Sequence, residues 1–169
     1  MRQIPNMHRR KHQVSNSWRM DETYIKVGAK DRYLYRAVDK EGNTVDFLLT
    51  KKRIKGSAQK FFNKAIGNNV KPRVINIDKS GSNFTAIRAV NRWNYWGNNI
   101  KIRRCKYLNN IVEQDHRNIK RRIGVTTVFK DFESAQRTLS GIKVVSCIRK
   151  NQIIDSKKSV FKSFMSLAA

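Results

Sequence analysis

The segment Val74-Ile75-Asn76-Ile77-Asp78 is the most informative part of this sequence about its fold. Its apolar residues are nearly continuous, a pattern typical of a strand that is covered on both faces of a sheet. Pro72 precedes the stretch, and a carboxylate ends it. The pattern predicts a central strand with Asp78 at its carboxyl end.

The residues before this stretch predict three more strands. Side chains of different polarity alternate over residues 21–27, which is strand spacing, and Gly28 ends the run. Two runs rich in β-branched and aromatic residues follow, at residues 33–38 and 44–49, with turn residues between them. Short turns between successive strands predict an antiparallel meander.

Segments with the apolar periodicity of a helix lie before and after the central strand. Apolar residues recur on one face over residues 55–66, and Gly67 lies where the first residue beyond a helix belongs. Residues 84–93 predict a short helix, and residues 100–103 predict a last strand at the edge of the sheet. The resulting order, βββαβαβ, predicts an α/β fold.

The remaining segments set the domain boundaries. We expect helices over residues 110–122 and 131–148, so that one domain spans residues 18–150. Residues 1–17 show neither the alternation of a strand nor the periodicity of a helix, and they predict a disordered basic lead-in. Residues 151–169 predict a flexible tail. The only cysteines, Cys105 and Cys147, have no metal-ligand spacing and are expected to be ordinary thiols.

The charge of the chain predicts a polyanionic partner. Lys and Arg number 37 against 12 Asp and Glu, which gives a formal net charge of +25. Nucleic acid fits best, because neutralised phosphates release condensed counterions. An anionic membrane surface is the alternative, but no apolar run approaches the ~20 residues of a membrane span. We therefore expect a cytoplasmic, nucleoid-associated DNA-binding protein with no membrane partner.

Three acidic residues lie at element boundaries. Asp21 is on the first strand, Asp78 ends the central strand, and Glu113 opens the next helix, with 34 residues between the second and third acids. Pairing of the first and fourth strands would bring them together, where they would repel unless a cation joined them. Mg²⁺ or Mn²⁺ suits an all-carboxylate set, and two such ions can activate a nucleophile and stabilise the leaving oxygen at phosphorus.

Four strings carry a family resemblance. They are Trp18–Tyr24 (WRMDETY), Tyr33–Asp39 (YLYRAVD), Ile77–Ser80 (IDKS) and Tyr107–Arg117 (YLNNIVEQDHR). With them the chain, over about residues 17–150, resembles bacterial insertion-sequence transposases that have an Asp-Asp-Glu (DDE) catalytic domain. The resemblance implies a ribonuclease-H-like fold with a mixed five-stranded sheet flanked by helices.

The resemblance also implies an activity and its residues. The activity is Mg²⁺-dependent cleavage at mobile-element ends and transfer of the freed 3′-hydroxyls into target DNA, by a homo-oligomer on DNA. Asp21, Asp78 and Glu113 match the catalytic metal ligands, with two Mg²⁺ ions that Mn²⁺ can replace. Lys120 matches a basic position that contacts DNA, and it lies two helical turns beyond Glu113 on the same side. The full set of expected DNA contacts is Lys79, His116, Arg117, Lys120 and Arg121.

Other interpretations stay open for several residues. Glu113 has capping-box spacing from Asn110, which satisfies a helix start without any catalysis. Asp115 is a possible support for the metal ligands, and a structural role for His116 competes with DNA contact. A group of aromatic side chains could stack on bases or simply pack, namely Trp93, Tyr95 and Trp96.

Three further acids are interpreted as non-ligands. Glu22 lies on the strand face opposite Asp21 and is expected to be solvated. Asp39 and Asp46 are assigned to a hairpin, where Asp is common.

The chain departs from the family pattern before Trp18. Members usually carry a helix-turn-helix region ahead of the catalytic domain, and we expect this chain to lack it. An alternative function is therefore a truncated, inactive remnant that only binds DNA. A hydrolytic nuclease of the same fold, which cuts without joining, is a further alternative.

Overall fold

The computed structural model describes residues 10–78, 81–92, 97–105, 110–126, 129–154 and 159–168. Within those ranges the elements are β1 Ser17–Val27, β2 Lys30–Asp39, β3 Thr44–Thr50, α1 Lys55–Gly67, β4 Val74–Ile77, α2 Gly81–Arg92, β5 Lys101–Arg104, α3 Asn110–Thr126, α4 Phe132–Arg149 and α5 Val160–Ala168. The predicted order βββαβαβ and the two helices after it are confirmed.

The five strands form one mixed sheet in the order β3-β2-β1-β4-β5. β1, β2 and β3 pair antiparallel, as expected for a meander. β4 pairs parallel with β1 on one side and with β5 on the other. Because α1 and α2 connect the parallel strands, the chain can return to the same end of the sheet before each of them.

Helices cover both faces of the sheet. Trp18 and Met20 of β1 pack in a core with the apolar faces of α1 and α2. Ile25 and Val27, farther along the same strand, pack with side chains of α3 and α4. All four residues of β4 are buried, which confirms the predicted central strand, and β5 lies at the sheet's edge.

The amino-terminal segment differs from the predicted lead-in. Residues 10–17 pack on the domain, and Val14 joins the core. The buried Lys11 ammonium donates to the carbonyl oxygens of Thr44 and Val45, the latter at 3.1 Å. These two carbonyl groups lie at a β-bulge, where the register between β2 and β3 shifts. The lysine therefore donates hydrogen bonds to carbonyl oxygens at a place where the regular pairing of the strands is interrupted. A search for periodicity misses so short and irregular a segment.

The carboxyl-terminal segment also differs from the predicted tail. Its apolar residues Ile153 and Leu167 are buried in a small cluster with α4. The backbone N–H of His12 donates to the carbonyl oxygen of Gln152 at 2.8 Å, so the two ends of the described chain lie together.

The end of α1 also differs slightly from the prediction. Gly67 was expected just beyond the helix, but it is the last residue of α1, and Asn68 is the C-cap.

No helix within the described ranges is long and apolar enough to cross a bilayer.

Candidate active site

Parallel pairing of β1 with β4 positions the first two acids. The last residue pair of this ladder is Arg19 with Asn76, and two more residues along each strand lead to Asp21 and Asp78. Alternate residues share a strand face, so Asp21 lies on the face that α3 covers. The backbone N–H of Glu22 donates to Asp21 Oδ1 at 2.8 Å.

The third acid reaches the same place from α3. Glu113 is exposed in the first turn of that helix, which packs against β1 and β2. Burial, together with the charges of Asp78 and Glu113 and against the hydrogen bond from Glu22, raises the pKa of Asp21 to about 6. Asp78 and Glu113 are therefore both close enough for their charges to act on Asp21.

The donor chemistry fits a hard divalent cation. Asp21, Asp78 and Glu113 offer carboxylate oxygens only, and a cation among them would relieve the repulsion that raises the Asp21 pKa. As the side chains stand, no three His, Cys, Asp or Glu residues in the described part of the chain close around one metal position. Any cation would therefore draw these carboxylates inward, and Glu113, which is exposed, is the one with room to turn.

His116 lies beside the acids rather than on the surface. Its side chain is 7% exposed, and Nε2 is 3.8 Å from Asp21 Oδ2. Burial lowers the pKa of His116 to about 3, with help from the charges of Arg36 and Lys120. The imidazole is consequently neutral, and its place favours the structural role over direct DNA contact.

The other expected DNA contacts form an exposed basic face of α3. Arg117, Lys120 and Arg121 are all exposed. The Lys120 ammonium lies 4.9 Å from the ring centroid of Tyr24, itself 57% exposed on β1. Lys79 and the aromatic group at residues 93–96 lie outside the described residues, as does the side chain of Asp115.

Two charged residues near the acids were missed or misjudged from the sequence. Glu22 was expected to be solvated, but its side chain is only 7% exposed and forms an ion pair with Arg53. Arg36 is buried and stacks on the Phe47 ring at 4.3 Å. A cation inside the apolar run 33–38 was the signal that could have revealed Arg36.

Asp46 is not a hairpin residue. It lies within β3 with no exposed side-chain area, and its Oδ1 accepts from Lys143 at 2.7 Å and from Lys64 at 3.1 Å. Asp39 does occupy the hairpin, where it accepts from the backbone of Glu41 and Asn43. Val45 and Phe47 flank Asp46 in the sequence, whereas Lys40 and Glu41 follow Asp39, so the local pattern carried a signal that separates the two positions.

Comparison with known proteins gives a family match. A family model described as a DDE domain, of the IS240 transposase group, matches residues 15–152. The transposase for the insertion sequence-like element IS431mec of Staphylococcus aureus (strain Mu50) is 39% identical over 138 residues, which are 79% of this chain and 58% of that protein. The transposase for insertion sequence element IS257 in transposon Tn4003, also from Staphylococcus aureus, has the same identity and coverage. The chain thus spans less than two thirds of these relatives.

Solved structures share the fold at low sequence identity. The BIV integrase catalytic core domain matches with a TM-score of 0.55 and 15% identity, over 90% of this chain and 95% of that one. The HTLV-2 integrase catalytic core domain, solved with magnesium, matches with a TM-score of 0.53 and 22% identity, over 66% and 71% of the two chains. These matches and the mixed five-stranded sheet confirm the predicted ribonuclease-H-like fold.

Proposed function

The chain belongs to the DDE transposase family, and from that premise we propose that it cleaves DNA at mobile-element ends and transfers the 3′-hydroxyls into target DNA. The observation that supports the proposal is that the charges of Asp78, which follows β4, and of Glu113, on α3, both act on Asp21. Scarce acids gathered in a chain of net charge +25 are suited to holding cations against a phosphate backbone.

The three acids share one role in this proposal, which is to bind the metal ions. Asp21, Asp78 and Glu113 would hold two Mg²⁺ ions, which Mn²⁺ can replace. When bound, such ions activate the attacking oxygen and stabilise the departing one. Asp21 lies on a strand of the central sheet, so its carboxylate is held rigidly. His116, which is neutral and lies 3.8 Å from Asp21, adds no competing cation beside that carboxylate.

The basic face of α3 would hold the DNA beside these acids. Arg117, Lys120 and Arg121 would contact phosphates, which position the duplex without reading its sequence. Joining two element ends to one target requires more than one active site, and we therefore expect a homo-oligomer on DNA.

A strand-transfer assay tests the proposal. Protein, labelled element-end DNA and Mg²⁺ are expected to give nicked ends and then branched joined products on a denaturing gel, and EDTA should prevent both. Cleavage without joining would support the hydrolytic nuclease instead. Salt-sensitive binding with no cleavage in either Mg²⁺ or Mn²⁺ would contradict the proposal and support the DNA-binding alternative.

Removal of the Lys120 charge is expected to weaken DNA binding. Lys120→Ala should lower the slope of log affinity against log salt by about 0.9, the value for one lost phosphate contact. Lys60→Ala, an exposed lysine on α1, is the matched control and should leave the slope unchanged. Fluorescence anisotropy over a salt series measures both, and equal slopes for the two variants would remove Lys120 from the DNA interface.

A further inference from the structure

Glu22 is a buried carboxylate that the proposed chemistry does not use. It follows Asp21 on β1 and therefore faces the opposite side of the sheet, and its direct partner on β2 is Tyr35. Burial raises the pKa of the neighbouring Tyr35 hydroxyl to about 12, with Glu22 adding to the shift. A charge held at 7% exposure beside a neutral phenol needs a cation to offset its lost hydration.

That cation comes from a distant part of the chain. Arg53 lies in the connection between β3 and α1, and its guanidinium pairs with Glu22. The connection is itself held, because the hydroxyls of Thr50 and Ser57 donate to the carbonyl oxygen of Lys52 at 3.0 and 2.7 Å. The Arg53 side chain is therefore held at its backbone by the ordered connection and at its guanidinium by Glu22.

The fixed guanidinium has donors to spare and lies near the acids. The Arg53 side chain is 49% exposed, and a guanidinium carries five N–H groups of which one carboxylate takes at most two. The hydrogen bond to Glu22 raises the pKa of Arg53 against the opposing effect of burial, and the charge of Glu22 and, less strongly, that of Asp78 add to the shift. Arg53 thus lies within electrostatic reach of the acid at the end of β4.

We propose that Arg53 binds a phosphate of the DNA on the α1 side of the three acids, and that Glu22 is the positioning residue that aims it. The inference rests on the proposed function, because it takes DNA as the ligand. Arginine suits the task, since its planar fork matches phosphate geometry with two parallel hydrogen bonds. With Lys120 on α3, Arg53 gives the DNA a cation on each side of the acids.

Salt-dependent binding of a short fluorescent duplex, without divalent metal, tests the inference directly. Arg53→Gln should weaken binding about tenfold and reduce the salt slope by about 0.9. Arg53→Lys keeps the charge but loses the fork, so the slope should recover while the affinity recovers only partly. Glu22→Gln should weaken binding in the wild-type background, whereas the double variant Glu22→Gln/Arg53→Gln should bind no more weakly than Arg53→Gln, because Glu22 acts on DNA only through Arg53.

An exposed ion pair provides the matched control. Glu133 and Arg137 pair on α4 at 3.1 Å, and the double variant Glu133→Gln/Arg137→Gln removes the same two charges. Because Arg53→Gln leaves Glu22 buried and uncompensated, the double variant Glu22→Gln/Arg53→Gln guards against loss of folding. The inference is overturned if that double variant matches the α4 control in affinity and slope.

The outcome separates this inference from the proposed function. A wild-type protein that binds DNA but yields no cleaved or joined product contradicts the function, while the slopes still decide the role of Arg53. A wild-type protein that cleaves normally, with Arg53 variants equal to the control, overturns the inference alone. Absence of any DNA binding by the wild type would overturn both.

Discussion

Glu113→Gln is expected to lower the rate of Mg²⁺-dependent cleavage by about a thousandfold or more, with DNA affinity unchanged or higher. The amide keeps the size of the side chain but removes the charge that a divalent cation needs, and the stabilisation of charge in the transition state goes with it. Single-turnover cleavage of labelled element-end DNA measures the rate. Anisotropy measures the affinity, which should not fall, because a negative charge near the phosphates has been removed.

The capping interpretation of Glu113 makes a different prediction. Glutamine can still serve in a capping box, so a purely structural Glu113 would tolerate the change in both stability and activity. Glu133→Gln is the matched control, because Glu133 also lies in the first turn of its helix, α4. Equal cleavage rates for the two variants would remove Glu113 from the chemistry.

Much of the fold followed from local patterns in the sequence. The run 74–77 showed no alternation because both its faces are buried, and that feature alone identified the interior parallel strand. The alternation over residues 21–27 showed one strand, and residues 17–20 alternate as well, with Trp18 and Met20 buried between polar neighbours. Those two side chains pack on the opposite face from Ile25 and Val27, so the change of face within β1 concealed where the strand begins.

The acids were also within reach of sequence reasoning, because Asp78 follows a strand and Glu113 opens a helix, while the family resemblance identified Asp21 within β1. Parallel pairing of β1 with β4 then brought Asp21 level with Asp78 without any need for side-chain detail. The pairing of Glu22 with Arg53 had no such signal. The two residues are on different elements, and an isolated arginine in a basic connection resembles a solvated charge.

The buried charged residues and their partners were the features that local sequence patterns predicted least well. Lys143 lies on α4 among apolar residues, 97 positions from Asp46, and only the packing of α4 on β3 brings the two together. A charge at a core-facing position indicates a partner, but the sequence does not say which partner. Lys11 is a similar case, because its acceptors are carbonyl oxygens at a bulge.

Asp46→Asn is expected to lower the free energy of unfolding by about 3–5 kcal/mol, the usual cost of leaving a buried charge without its partner. Lys143 is buried and Lys64 is partly buried, and both ammonium groups donate to Asp46 Oδ1. Asparagine keeps the shape but has only one acceptor oxygen, so with that oxygen toward the lysines it also loses the bond from Asn68, and the measured loss combines the charge with one hydrogen bond. Urea unfolding measures it. Asp31→Asn is the control, because its pair with Lys26 is exposed and should contribute less than about 1 kcal/mol.

Acidification should reduce the difference between wild type and Asp46→Asn. Burial by itself would raise the pKa of Asp46, but the charges of Lys143 and Lys64 outweigh it and hold the pKa well below its ordinary value. A carboxyl whose pKa is lower in the folded than in the unfolded protein stabilises the fold fully above the unfolded value, which is about 3.9, and progressively less below it. The two unfolding free energies should therefore differ by a constant amount above about pH 5 and converge below about pH 4. A difference under about 1 kcal/mol near neutral pH would mean that the lysines are stable there without this carboxylate. A difference that persists unchanged in acid would mean that the loss does not come from the charge of Asp46.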